Sequence, residues 1–283
     1  MSTVIETRIR PDSATALVDF AELRRYRDLL SMFVWRDFAT KYKQTILGPI
    51  WFLVQPLLPA LLFTVIFAQV AGMSTDGVPA FVFFLCNQVA WGYLSTNFGA
   101  ISGALINNLS VFNKVYFPRL LVPISSLVSN LITLAIQLLL LAVAFAYARF
   151  RVPGGDSLHV TWALLFFPLI VLQLGAIALA FGLWMAAATA KYRDLQQVSA
   201  VLLQVWMYGS AVMFPLSRMP GKYRLVISAN PATFAIEAAR RSLIGVGTVS
   251  WPAGLWSVGF TLVMLVIGLR LFNRTAQTFV DVA

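Results

Sequence analysis

The sequence predicts an all-α integral membrane protein with six transmembrane helices, an N-terminal amphipathic helix in the membrane interface, and a re-entrant helical segment before the last span. Three observations predict it. The 283 residues are 59% hydrophobic and only 11% charged, with a mean hydropathy of +0.80, whereas a soluble domain carries roughly 25% charged residues. Removing the charged positions leaves six long stretches, 44–75, 77–113, 120–148, 157–190, 195–217 and 242–269, each longer than the ~20 apolar residues that cross a bilayer as a helix. No barrel-type alternation of polar and apolar residues occurs, and lipid tolerates no unpaired backbone groups, so the stretches read as helices. A water-soluble fold is excluded.

Residues 1–16 are polar, contain Pro11 and show no period, as expected of a flexible tail. In the segment 17–47, Asp19 and Glu22 have capping-box spacing, and Leu23, Tyr26, Leu30, Phe33, Val34 and Phe38 recur at threes and fours. With Arg24, Arg25, Arg27, Arg36, Lys41 and Lys43 this helix is too charged to span and suits the membrane interface. Gly48 and Pro49 pair a helix stop with a helix start, so the chain turns into the bilayer there. A six-helix domain follows over 48–272, with spans at about 49–71, 80–106, 120–148, 161–188, 198–216 and 254–271. Pro56 and Pro59 each delete a backbone donor, which predicts a bend in the first span.

Two short inner loops carry basic residues and a tyrosine: Asn113, Lys114, Tyr116, Phe117 and Arg119 in one, Lys191, Tyr192, Arg193 and Asp194 in the other. They suit a small docking element, and anchoring of the span ends by Tyr and Lys is the competing reading. The outer segment at about 218–245 is too long for a turn and partly apolar. Two short helices meeting at Asn230-Pro231 and dipping toward the bilayer fit it, provided their free backbone groups are covered. Residues 273–283 are expected to form a cytoplasmic tail.

The net charge of +10 reads as topology. With both termini inside, 14 of the 21 Lys and Arg fall on the cytoplasmic side; of the outer ones, Arg218, Lys222, Arg224, Arg240 and Arg241 crowd one loop against the rule. Nucleic acid is not an expected partner. The N-terminal region has no apolar run of signal-peptide length, which predicts a cytoplasmic N-terminus. Cys86 is the only cysteine, so no disulfide framework or thiolate metal site is expected.

The predicted span cores contain no ionisable group, which disfavours ion-coupled transport. His159 is the only histidine and sits at an outer boundary, while Asp76, Asp156 and Glu237 are scattered, so no catalytic or metal constellation is expected. Gly221-Lys222 lacks the glycine of a phosphate loop five positions earlier, where Leu216 stands, and Tyr223 follows it. Another chain must supply any energy. Neutral amides occupy the spans: Gln55, Gln69, Asn87, Gln88, Asn97, Asn130, Gln137, Gln173 and Gln204. Aromatic residues accompany them, among them Phe63, Phe67, Phe84, Trp91, Trp206 and Tyr208. Helix-to-helix hydrogen bonding is the default reading for the amides, and lipid-facing packing that for the aromatics. A conduit in which Gln55, Phe63, Phe67, Trp91, Trp206 and Tyr208 line a translocation path for a sugar polymer is the functional alternative.

One stretch is specific: Arg36-Asp37-Phe38, then Lys41-Tyr42-Lys43-Gln44-Thr45-Ile46-Leu47-Gly48-Pro49-Ile50-Trp51, then Gln55-Pro56. It resembles the N-terminal motif of the membrane subunits of type-2 ABC exporters that move lipid-linked polysaccharides such as O-antigen, capsule and teichoic acid. The likeness extends to the whole layout, and Lys41 stands where many members have arginine. The resemblance implies a homodimeric permease of the bacterial inner membrane, paired with two copies of an ATPase subunit that binds ATP and magnesium, with no cofactor in this chain. The substrate would be an undecaprenyl-diphosphate-linked glycan, most simply O-antigen. Arg36, Lys41, Tyr42, Lys43 and Trp51 would receive its headgroup, and the loops 113–119 and 191–194 would contact the ATPase. Arg218, Lys222, Arg224, Glu237, Arg240 and Arg241 would form a periplasmic gate. A permease for a drug or small lipid, a membrane-embedded glycolipid enzyme and a passive channel remain as alternatives.

Overall fold

A computed structural model describes residues 20–41, 43, 48–112, 117–192 and 194–282. The expected tail at 1–16, Asp19, Tyr42, Asn113, Lys114, Tyr116 and Arg193 lie outside the described residues. Within them the chain is helical, with no strand: α1 (Phe20–Arg25), α2 (Arg27–Thr40), α3 (Trp51–Phe63), α4 (Ala80–Ser102), α5 (Ala104–Asn107), α6 (Leu109–Phe112), α7 (Leu121–Arg151), α8 (Phe167–Lys191), α9 (Leu195–Tyr208), α10 (Gly221–Ala229), α11 (Pro231–Ile244) and α12 (Trp251–Val282). Gly48 adopts the left-handed backbone, φ +50°, and leads through a 3-10 turn into α3, which continues as a π-helical segment, Thr64–Val70.

Among the described residues, four segments are long and apolar enough to cross a membrane: Gly48–Val70, Leu121–Arg151, Trp162–Lys191 and Trp251–Ala276. The second and fifth stretches behave differently, for different reasons. The 23 residues of α4 reach about 34 Å at 1.5 Å per residue, but Asn87, Gln88, Asn97, Trp91 and Tyr93 dilute its hydropathy. It affords that polarity because it is the central helix, packed against α3, α7, α8, α9 and α11 and buried along most of its length. By contrast α9 stops at Tyr208, short of the expected end at 216, with Gly209 at its C-terminus. The last helix instead runs on through Arg270 and Arg274, past the expected end at 271, since arginine is a good helix former.

The bundle has two distinguishable ends. At the near end α2 lies against the first turns of α7, and Phe33, Phe112, Phe117 and Phe272 share a small core. Of α2 only Phe33 is fully buried; Met32 and Trp35 are exposed. At the far end α11 packs on α4, α8 and α12, and α10 folds back along α11.

Small residues and amides hold the spans together. An added Cβ on Gly182 would lie 2.8 Å from the Ile101 side chain of α4, and one on Gly268 would lie 2.8 Å from the Ala180 carbonyl, so α8 approaches both neighbours closely. Gln173 on α8 donates to the hydroxyls of Ser257 (3.0 Å) and Thr261 (3.1 Å) on α12. Pro56 has no N–H for the carbonyl of Phe52 four residues earlier. The side chain of Gln137 on α7 supplies the missing donor at 3.1 Å. Replacing Gln137 by leucine should therefore orphan a buried carbonyl and lower stability by about 1–3 kcal/mol, read as a lower thermal transition in detergent; an unchanged transition would show that the bond contributes nothing.

Candidate functional site

At the near end the motif residues are fastened to the span bundle. Arg36 forks onto Asp37 Oδ1 through Nε (3.0 Å) and Nη2 (2.7 Å), and Nη2 also reaches Asn108 Oδ1 at 3.3 Å. Its guanidinium lies 4.6 Å from the centre of the Phe33 ring. The other oxygen of Asp37 accepts from Ser125 Oγ on α7 at 3.0 Å. One turn later Lys41 donates from Nζ to Asn130 Oδ1 on α7; Asn130 Nδ2 donates to Asn97 Oδ1 on α4 at 2.7 Å, and Asn97 Nδ2 donates to the Tyr93 carbonyl at 2.8 Å. A continuous polar chain thus runs from α2 through α7 into α4.

The predicted headgroup residues therefore divide. Arg36 and Lys41 are engaged internally, although the Arg36 side chain remains 37% exposed. Lys43 and Trp51 are exposed. Burial lowers the Lys41 ammonium below the ordinary lysine range, with the charge of Asp37 opposing that shift. Of the predicted docking residues, Phe117 is buried against Phe33 and Phe112, both at 5.4 Å between ring centres, so it belongs to the near-end core and not to an exposed surface. Arg119 is half-buried; Lys191, Tyr192 and Asp194 are exposed, with Lys191 Nζ 5.3 Å from the Tyr192 ring centre.

The predicted path residues also separate. Trp91 is buried and Trp206 half-buried, 6.2 Å apart in an edge-to-face pair, and Trp206 meets Phe181 at 4.8 Å. Phe63 and Phe67 pack on each other and on Phe84. These aromatics sit in or against the main core. Gln55 and Tyr208 are exposed, on the surfaces of α3 and α9.

The far-end residues show the largest departure. Glu237 and Arg240, expected among the gate contacts, are fully buried and ion-paired with each other across one turn of α11. Arg240 lies 4.5 Å from the centre of the Phe83 ring and reaches the Ala211 carbonyl (3.4 Å) and Asn87 Oδ1 (3.5 Å). Glu237 accepts from the backbone N–H of Leu216 (3.1 Å) and Thr248 (2.6 Å). The i, i+3 spacing of opposite charges on a largely apolar helix was the available signal. Arg218, Lys222, Arg224 and Arg241 are exposed. Asn230 was visible only as a helix break, yet it is a four-bond hub. Its Oδ1 accepts from Ala232 N (3.0 Å) and Trp206 Nε1 (2.9 Å), and its Nδ2 donates to the Gly209 carbonyl and Ser210 Oγ, both at 2.9 Å.

Two predictions follow from this geometry. Arg240→Met strands a buried carboxylate and should cost about 3–5 kcal/mol, whereas the double change Glu237→Gln with Arg240→Met should cost less; thermal unfolding of both variants decides it, and equal losses would refute the charge argument. Since Lys41 is depressed in the fold, the unfolded chain binds more protons between the folded value and about 10.4. The penalty is complete below the folded value, and stability rises with pH across that window. Lys41→Met should flatten that rise in the thermal transition, and an unaltered slope would refute it.

Comparison with known proteins places these features in one family. Residues 28–244 match the family described as ABC-2 type transporter. The chain is 30% identical over 213 residues to the O-antigen export system permease protein RfbA of Myxococcus xanthus, covering 74% of this chain and 78% of that protein. It is 24% identical over 260 residues to the RfbA protein of Klebsiella pneumoniae, covering 90% of this chain and 95% of that one. With the polysialic acid transport protein KpsM of Escherichia coli it shares 27% identity over 245 residues, 86% of this chain and 91% of the relative. With its Arg36-Asp37 motif, its apolar spans and a family match over most of its length, the chain belongs to the ABC-2 type transporter membrane family.

Proposed function

We propose that this chain is the permease subunit of an ATP-driven exporter that moves a lipid-linked polysaccharide, most simply O-antigen, across the cytoplasmic membrane. The relatives named for O-antigen and polysialic acid transport support the substrate class. Energy comes from a separate ATPase subunit, which binds ATP and magnesium. The observation that carries the mechanism is the fastening of the basic motif on α2 to α7 and α4, with Lys43 left exposed beside it. A diphosphate headgroup arriving at the near end meets Lys43, the exposed part of Arg36 and the Trp51 ring, where charge-assisted hydrogen bonds are strong. Tyr42 stands in the same motif.

In this reading the near end is cytoplasmic, α4 and the segment 195–216, made of α9 and the largely non-helical stretch after it, complete six spans, and α2 lies in the interface. The loops 113–119 and 191–194 receive the ATPase through Asn113, Lys114, Tyr116, Arg119, Lys191, Tyr192, Arg193 and Asp194. Two copies of the chain, with two ATPase subunits, form the pore. The exposed faces of α3, with Gln55, Leu58 and Leu62, and of α9, with Val201, Gln204 and Tyr208, are the surfaces available to line it. The α10–α11 hairpin forms the gate at the opposite end.

The test is a tagged full-length chain extracted in mild detergent. An ATPase subunit should be recovered in equal amount, and its absence would return the enzyme and channel alternatives to the front. In the recovered complex, Lys43→Gln should lower substrate-stimulated ATP hydrolysis severalfold with the thermal transition unchanged. Unaltered stimulation would remove Lys43 from the headgroup site.

A further inference from the structure

A cleft with a volume of about 470 Å3 opens at the far end between α10, α11 and the start of α12, within the size range of small-molecule sites. Its walls are apolar, with Leu216, Leu225, Phe234 and Trp256 among them. The Trp256 indole is held in place by a bond from Nε1 to the Ala229 carbonyl at 2.8 Å.

Two positive features and one buried hydroxyl define the polar part of the cleft. Arg224 lines it, and no hydrogen-bond or ion-pair partner is found for its guanidinium among the described residues. Ser250 and the first turn of the 32-residue α12, Pro252 and Ala253, border it; Pro252 has no N–H and that of Gly254 is bonded to the Ser250 carbonyl, so this helix start contributes its partial positive charge and the N–H of Ala253. Thr233 lines it too; this residue is 1% exposed, and its hydroxyl has no hydrogen-bond partner among the described residues. The only carboxylate there, Glu237, is neutralised by Arg240 and bonded to the N–H groups of Leu216 and Thr248. A cationic, donor-rich head on an apolar cleft suits neither a neutral sugar nor a cation.

We infer that this cleft binds an anionic phospholipid of the surrounding bilayer. Its phosphate lies toward Arg224, Thr233 and the start of α12, and an acyl chain lies along Leu225, Phe234 and Trp256. The site is distinct from the near-end headgroup residues and does not depend on which polymer is exported.

The test uses the purified full-length chain in detergent, titrated with dioleoyl phosphatidylglycerol or dioleoyl phosphatidylcholine and followed by native mass spectrometry. Phosphatidylglycerol should be retained preferentially. Arg224→Gln should weaken that retention about tenfold and the isosteric Thr233→Val roughly fivefold, while Arg151→Gln, at an exposed far-end position outside the cleft, leaves it unchanged. Equal retention of phosphatidylcholine would overturn the anionic assignment. Displacement by inorganic phosphate as effectively as by lipid would overturn the role of the apolar wall. Undiminished retention by both cleft variants would place the lipid elsewhere.

Discussion

The fully buried pair of Glu237 and Arg240 is the interaction on which the far end depends. Two stretches there, 209–215 and 245–250, are largely non-helical, and their backbone groups need partners once water is excluded. One carboxylate accepts from the N–H of Leu216 and Thr248, and one guanidinium donates to the Ala211 carbonyl. Asn87 completes the arrangement by donating to the Val212 carbonyl at 2.8 Å from the middle of α4. The charges that look most out of place in a membrane domain thereby allow the chain to break its helices there.

Asn230 solves the same problem on a smaller scale. It closes the C-terminal end of α9 with its amide NH2 and opens α11 with its amide oxygen, using both ends of one side chain. The joint between α10 and α11 is therefore tied to Trp206 and, through that ring, to the aromatic cluster of Trp91, Phe98 and Phe181. The near end uses a different device, in which charged and amide side chains of α2, α7 and α4 pair with one another. Both ends converge on α4, which accounts for the polarity of that helix.

The long apolar spans were legible because lipid-facing helices must carry their hydrophobicity in composition, and the Asn230-Pro231 break was legible because it separates two apolar runs. The course of α9 was not: residues 209–217 are uncharged, but the Gly209 carbonyl and the Ser210 hydroxyl are held by Asn230, and no local pattern encodes a partner 20 residues away. Sorting charges by topology placed Glu237 and Arg240 in an outer loop, and only their burial separates them from Arg218, Lys222 and Arg241. Near the N-terminus, Arg36, Lys41 and Asp37 were recognisable as a motif, while their partners Ser125, Asn130 and Asn108 lie more than 70 residues away. The replacement of the absent Pro56 donor by Gln137 is equally non-local.

Asp37 on α2 and Lys41 one turn later, at its C-terminal end, meet Ser125 and Asn130, themselves about 7.5 Å apart along α7. A single attachment would act as a pivot, about which α2 could swing without moving its neighbour. Two attachments separated along both axes form a rigid bracket. In the proposed exporter, a push on α2 would then pass to α7 as torque, so a small displacement at the near end would become a tilt of a 31-residue helix that reaches the far end.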